Sequence, residues 1–234
     1  MNHSDFLNKS KLFIKYSIAA FSLITALLYT PSNSCALESE TDTPKVRIGA
    51  GGLFGYYDVN AVGEEHMNWG HGFGYGGGLV YERMFTGTFG LHSGIWFSHF
   101  NLEAKFSEEK TDSPTDHKIK SNIFTVPFYL ITSFGSGAVI LNLLTGINLS
   151  YIAESYMKET NNQSSENIQK HLGYCQVGAG GGIEILFRIT KFTRFFISCV
   201  GEYHFTNLIS DSEEDAQYHL YNATARAGFM LCTF

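Results

Sequence analysis

Positive charge is scarce in this sequence, with 16 Lys and Arg side chains against 22 Asp and Glu and a formal charge of −6. Nucleic acid is bound through clustered Lys and Arg, so this balance argues against a nucleic-acid partner. Past residue 36 no apolar run is long and charge-free enough for a membrane-spanning helix, so membrane residence would require strands. The few Cys show no Cys-x-x-Cys spacing, and we expect neither a metal nor a cofactor.

The first 36 residues have the pattern of a cleavable signal peptide. Lys9, Lys11 and Lys15 precede the apolar run 16–29, and Ser34 and Ala36 satisfy the small-x-small rule for cleavage after Ala36. A membrane anchor is the alternative, but 14 residues fall short of the ~20 that span a bilayer. We therefore predict a signal peptide over 1–36, a short periplasmic segment over 37–44 and one domain over 45–234. Without the signal peptide, the exported chain 37–234 carries a formal charge of −8.

Eight segments rich in glycine and aromatic residues follow, separated by links that are alternately long and short. The predicted strands are 45–59, 72–85, 89–106, 119–134, 138–158, 171–187, 194–209 and 221–234, with links of 12, 3, 12, 3, 12, 6 and 11 residues. Outer-membrane barrels are built in this way, with tight turns at one rim and long polar loops at the other. The pattern predicts an all-β, eight-stranded antiparallel up-and-down transmembrane barrel whose termini face the periplasm.

Alternation within the strands predicts an apolar outer face and a polar inner face. In the fifth strand Leu141, Leu143 and Ile147 are expected outward, whereas Asn142, Asn148, Ser150 and Glu154 are expected inward. The inward glycines 72, 74, 76 and 78 of the second strand would leave room for side chains from other strands. A soluble sandwich remains the alternative, since it would place the same apolar face in a core.

Three ordered motifs add to this pattern. The segments 123–130 (IFTVPFYL), 177–184 (VGAGGGIE) and 202–209 (EYHFTNLI) resemble strand motifs of small OmpX-like and PorT-like outer-membrane barrel domains, over about 45–234. Phe234 resembles the terminal aromatic that acts as their membrane-insertion signal. The resemblance implies an outer-membrane location and contact with lipid, lipopolysaccharide and the barrel assembly machinery. Glu202, where the family has a basic residue, departs from the pattern.

Charged residues of both signs are predicted to point into the lumen. If paired residues in the first hairpin have numbers that sum to about 131, Arg47 and Glu82 become diagonal neighbours. Glu184 and Arg194 are expected to be similarly placed, and Glu202 also faces inward. These charges could form a salt-bridged plug or a selective constriction; eight strands leave an interior that side chains fill, which favours the plug.

Cys199 and Cys232 raise the prospect of a disulfide. If the last hairpin pairs residues whose numbers sum to about 431, these two cysteines are direct neighbours. That register turns Cys232 and Phe234 outward and places Arg226 on the lipid side. The alternative is that all three cysteines of the exported chain are small apolar residues of the wall.

The sequence most favours a structural or surface-interaction role, such as adhesion or envelope contact, with four long loops that meet a host or envelope partner. An enzymatic alternative comes from His204-x-Thr206-Asn207, which resembles the His-x-Ser-Asn motif of outer-membrane lipid A deacylases. There His204 would activate Thr206, and Glu213 or Glu214 would orient the imidazole. The other alternative is a small porin.

Overall fold

The computed structural model describes residues 45–62, 67–106, 115–135, 137–159, 165–168, 175–209 and 217–233. Eight long strands account for most of them. These are β1 (Val46–Val62), β2 (Gly72–Met84), β3 (Phe89–Phe106), β4 (Thr115–Phe134), β5 (Val139–Glu159), β6 (Cys175–Arg188), β7 (Thr193–His204) and β8 (Gln217–Thr233). Two short strands, Met67–Trp69 and Ser165–Asn167, extend the sheet beside β3 and β5.

Each strand pairs antiparallel with the next one along the chain, and β1 pairs with β8 over its whole length, from Val46 opposite Thr233 to Val62 opposite Gln217. The sheet therefore closes on itself without a free edge. This confirms the predicted eight-stranded up-and-down barrel. Among the described residues no helix has the length and apolarity needed to cross a membrane.

The two rims of the barrel differ as the link lengths predict. Residues 85–88, 189–192 and a link that includes residues 135, 137 and 138 connect strands at one rim, here called the short-turn end. In this link Gly135 and Gly137 have φ of 87° and 77°, which suits glycine because it lacks a Cβ. β1 begins and β8 ends at this rim, where Val46 lies opposite Thr233. The opposite rim is the long-loop end.

Outward side chains around the ring are apolar and exposed. Phe54, Leu79, Leu130 and Phe229 are each about 60% exposed, as are many others of the same kind. A soluble protein does not leave so large an apolar band in water, whereas a barrel in lipid requires one. The outward face of β5 confirms the predicted parity for Leu141 and Ile147.

Glu154 contradicts that parity. Residue pairing between β4 and β5 shifts between Asn122 and Ile123, so that Glu154 lies opposite Asn122 but Ile152 lies opposite Ile123. The extra residue, Ala153, makes a β-bulge that reverses the orientation of the residues beyond it. Glu154 is therefore exposed on the outside, where its Oε2 accepts a hydrogen bond from Asn122 Nδ2 at 3.0 Å.

Both predicted hairpin registers need correction. In the first hairpin Arg47 lies directly opposite Glu82, so the numbers of paired residues sum to 129 rather than 131. In the last hairpin Cys199 lies opposite Ala225, which gives a sum of 424 rather than 431. The second error is an odd number of residues, so it exchanges the inner and outer faces of β8.

Candidate functional site

The inside of the barrel is the candidate functional site, and its glycine rows are covered by large side chains from neighbouring strands. A Cβ built on Gly78 would lie 2.7 Å from the Trp96 ring, and one on Gly51 would lie 2.8 Å from Phe196. Across the lumen, the hydroxyl of Tyr129 would be 2.8 Å from a Cβ on Gly180. The glycines therefore leave the space that aromatic side chains from β3, β4 and β7 occupy. This is the role that we predicted for the inward glycines of the second strand.

A charged cluster fills the lumen at the short-turn end. Arg47 Nη1 donates to Glu82 Oε2 at 2.8 Å, and His92 Nδ1 lies 2.9 Å from Glu82 Oε1. The side chains of Arg47, Glu82 and His92 are at most 3% exposed. Glu82 on β2 lies directly opposite Arg47 on β1 and, on its other side, directly opposite His92 on β3. Because burial removes water from both charges, each needs the other as a partner.

Glu184 belongs to the same cluster but does not pair with Arg194. Its Oε1 accepts a hydrogen bond from Asn142 Nδ2 at 2.8 Å, and Ser133 Oγ donates to Asn142 Oδ1 at 2.6 Å. Glu184 lies opposite Ser198 on β7, whereas Arg194 lies opposite Arg188 at the end of the strand. Arg194 is thus four positions along β7 from Ser198, the residue opposite Glu184. This separation is too large for the cross-strand contact that the sequence suggested.

A second polar network occupies the middle of the lumen around Glu202. Its Oε1 accepts from Tyr129 Oη at 2.6 Å and from Arg226 Nη2 at 3.0 Å, and its Oε2 accepts from Asn222 Nδ2 at 3.1 Å. The guanidinium carbon of Arg226 lies 4.8 Å from the centre of the Trp96 ring, within cation–π distance. One buried carboxylate thereby joins β4, β7 and β8, and the contact of Arg226 with Trp96 adds β3 to the network.

The long-loop half of the lumen is apolar. Buried residues from β1, β3, β4, β5, β8 and the segment after β7 form one core there: Tyr57, Val59, Phe100, Leu102, Ala104, Ile119, Ile123, Ile152, Leu208, Tyr218 and Leu220. On the outside of the same strands Glu103, Lys118 and Lys120 are exposed. This part of the barrel has a mainly apolar inside and a polar outside, which is the reverse of the arrangement in its apolar band.

The disulfide that one register would allow between Cys199 and Cys232 is not formed. Cys199 is on the outer face and exposed, Cys232 is on the inner face and 3% exposed, and both thiols are free. The physical reason is the placement of Arg226, which would face lipid in the predicted register. In the observed register Arg226 faces inward and pairs with Glu202 at 3.0 Å. Cys175 is also free, whereas Phe234 and Ala36 lie outside the described residues.

The two described residues of the enzymatic alternative, His204 and Thr206, are not hydrogen-bonded to each other. His204 faces inward with 0% exposure, and within the described part of the chain neither of its ring nitrogens has a hydrogen-bond partner. Thr206 Oγ1 donates instead to Gln176 Oε1 at 2.9 Å and accepts from the Val177 amide at 3.1 Å. Glu213 lies outside the described residues.

Sequence reasoning missed several participants in the lumen networks, among them His92, Tyr129 and Arg226. Inward parity was the available signal for His92 and Tyr129, since each lies on the buried face of a predicted strand. For Arg226 the signal was its charge, because an arginine is expensive in lipid and an inward position avoids that cost. Contacts between strands distant in sequence, such as Tyr129 with Glu202, have no local signature.

A closed ring of antiparallel strands with an apolar outer band and a filled lumen defines a small transmembrane β-barrel. The family model for the outer membrane protein beta-barrel domain matches residues 38–210. The chain therefore belongs to this family of outer-membrane barrels. No protein of curated function matches it in sequence.

Solved structures of small outer-membrane barrels are similar to the chain. OprG of Pseudomonas aeruginosa is 12% identical, with 80% of this chain and 96% of that one covered and a TM-score of 0.48. Ail, the attachment invasion locus protein of Yersinia pestis, is 15% identical, covering 80% and 99%, with a TM-score of 0.38. Neisserial surface protein A is 13% identical, covering 80% and 97%, with a TM-score of 0.37.

Proposed function

We propose that this protein is a non-conducting outer-membrane barrel that acts through its four long loops, in adhesion or in contact with an envelope or host protein. The observation that carries the proposal is the filled lumen. The polar network around Glu82 occupies the lumen at the short-turn end, and the one around Glu202 occupies its middle. The apolar core around Phe100 and Ile123 occupies the long-loop half. An ion would have to displace buried side chains along the whole path, hydrogen-bonded ones in the two polar networks and apolar ones in the core.

The proposed orientation places the short-turn end in the periplasm and the long loops outside. It rests on the signal pattern of residues 1–36, with cleavage after Ala36, and on the usual arrangement of bacterial barrels. Residues 37–44 would then be a short periplasmic segment. Phe234 would present the insertion signal to the barrel assembly machinery.

The loops carry the polar and acidic residues expected of an interacting surface. Clusters such as Glu64-Glu65 and Glu213-Glu214-Asp215 lie in links at the long-loop end. On the outer wall just below these links, Lys118, Lys120 and Lys158 are exposed and have outward positions. We propose that lipopolysaccharide contacts this wall and that a protein partner contacts the loops above it.

Two measurements test the proposal. In planar lipid bilayers the refolded protein should give no stepwise conductance, whereas a large porin reconstituted in the same way should conduct. On intact cells an added protease should cleave within 63–66, 107–114, 160–174 or 210–216 and leave the short-turn end uncut. Regular unitary conductance would refute the plug, and a protein cut only after the outer membrane is opened would refute the orientation.

A further inference from the structure

Three side chains with metal-binding chemistry meet inside the barrel at the short-turn end. Glu82, His92 and Glu184 come from β2, β3 and β6, and each offers one ligand atom within 4.8 Å of the others. Glu82 and Glu184 have 0% exposure and His92 has 2%. Two carboxylates and an imidazole are ligands that divalent first-row transition ions accept in proteins.

Each of the carboxylates is oriented by a neighbour that is not itself a ligand. Arg47 donates to Glu82 at 2.8 Å, and Asn142, held in turn by Ser133, donates to Glu184 at 2.8 Å. His92 packs nearly parallel to the ring of Tyr129, with ring centres 6.0 Å apart. Such supporting contacts fix ligand atoms in metal sites and raise their affinity.

Two buried atoms of the three candidate ligand residues have no hydrogen-bond partner among the described residues, Glu184 Oε2 and His92 Nε2, and Arg47 Nε beside them is also unpartnered. Buried polar atoms are nearly always partnered, so these atoms require an explanation. The charges point the same way. Arg47 is hydrogen-bonded to Glu82, whereas Glu184 accepts from the neutral amide of Asn142, so a bound cation or a proton, on Glu184 or on His92, is needed to compensate the Glu184 charge.

We propose that Glu82, His92 and Glu184 bind one divalent transition ion, such as Zn²⁺, which ties β2, β3 and β6 together at the short-turn end. The ion replaces the proton that the two carboxyl groups would otherwise have to share, and it gives Glu184 Oε2 a partner. Three protein ligands leave a further position for water. Because the ligands are fully buried, the ion enters while the barrel folds. This inference is independent of the role proposed for the loops.

The test uses the full exported chain, refolded into detergent micelles with Zn²⁺ and separated from free metal by gel filtration. The wild-type protein should retain one equivalent of zinc, and Co²⁺ in its place should give the visible absorption of a bound ion. Glu184→Gln and His92→Phe should each bind at least about tenfold more weakly. Asn142→Ala, which removes only a supporting contact, should weaken binding on the order of 10- to 100-fold.

Glu184→Gln also separates the ion from the proton, since the amide has the shape of a protonated carboxyl group. If a shared proton balances the cluster, this variant folds as well as wild type and zinc stabilises neither protein. A variant of the loop cluster, with Glu64→Gln, Glu65→Gln and His66→Ala, is the control for adventitious binding and should retain one equivalent. Zinc missing from wild type, or bound equally by the Glu184→Gln and His92→Phe variants, overturns the proposal. Heat-dependent mobility of the folded barrel in SDS gels verifies that each variant is folded.

Discussion

The buried pair of Glu202 and Arg226 makes a quantitative prediction about the stability of the barrel. Arg226→Met leaves a buried carboxylate with only Tyr129 and Asn222 as donors, and it removes the cation–π contact with Trp96. Breaking one side of a buried ion pair costs about 3–5 kcal/mol, because the remaining charge is uncompensated. We expect a loss of that size for Arg226→Met and about 3 kcal/mol for Glu202→Gln.

The double variant should recover most of this loss. With Gln at 202 and Met at 226 no charge remains, and the amide oxygen can still accept from Tyr129, so we expect a net cost of about 1 kcal/mol. The assay is equilibrium unfolding in urea of the protein refolded into lipid vesicles, followed by tryptophan fluorescence, since Trp96 lies in the network. The exposed Arg83→Met is the matched control and should change stability by less than about 0.5 kcal/mol. Additive losses in the double variant, or a cost below about 1 kcal/mol for Arg226→Met, would refute the reasoning.

Three further predictions follow from single residues. Gly78→Ala should destabilise the barrel by about 1–3 kcal/mol in the same urea assay, because its Cβ would lie 2.7 Å from the Trp96 ring, whereas Gly52→Ala, whose nearest atom would be 3.8 Å away, should be neutral. An apolar thiol reagent should label Cys199 in the folded protein but reach Cys232 only after unfolding, and equal labelling of both would contradict the observed register of β8. His204→Leu should be neutral or stabilising by about 1 kcal/mol, because it removes two unpartnered ring nitrogens. The unmutated protein should release no fatty acid from lipid A, and measured release would support the hydrolase alternative.

Link lengths and strand parity were sufficient to predict the ring of eight strands, because both follow from local chemistry. Turn-forming residues mark the links, and alternation marks which side of each strand meets lipid. Thus the predicted third strand, 89–106, coincides with β3. The ends of other strands are less well defined by sequence, and β8 begins at Gln217 rather than at 221. Hydrogen bonds to a neighbouring strand extend it past the point where its own composition stops favouring a strand.

The pairing register of the strands could not be predicted from the sequence, because it depends on the exact partner of each residue in another strand. The error of two residues in the first hairpin kept Arg47 and Glu82 on the same face, so the expected proximity survived it. The odd error in the last hairpin reversed the face of Arg226 and Cys232. Charge was the better guide at that point: a register that buries Arg226 against Glu202 avoids the cost of an arginine in lipid.

The rule that apolar residues face outward holds only where lipid surrounds the barrel, and β4 shows where it stops. Along this strand Phe124, Phe128 and Leu130 face outward, whereas beyond them Lys118 and Lys120 do, and Ile119 and Ile123 turn their apolar side chains into the lumen. Neighbouring β3 changes in the same way between Phe97 and His99. Beyond this level the strands are surrounded by water, so the wall must be stabilised from within, as in a soluble protein. The apolar core at the long-loop end thus packs the strands against one another where lipid no longer surrounds them, and its side chains fill the lumen there.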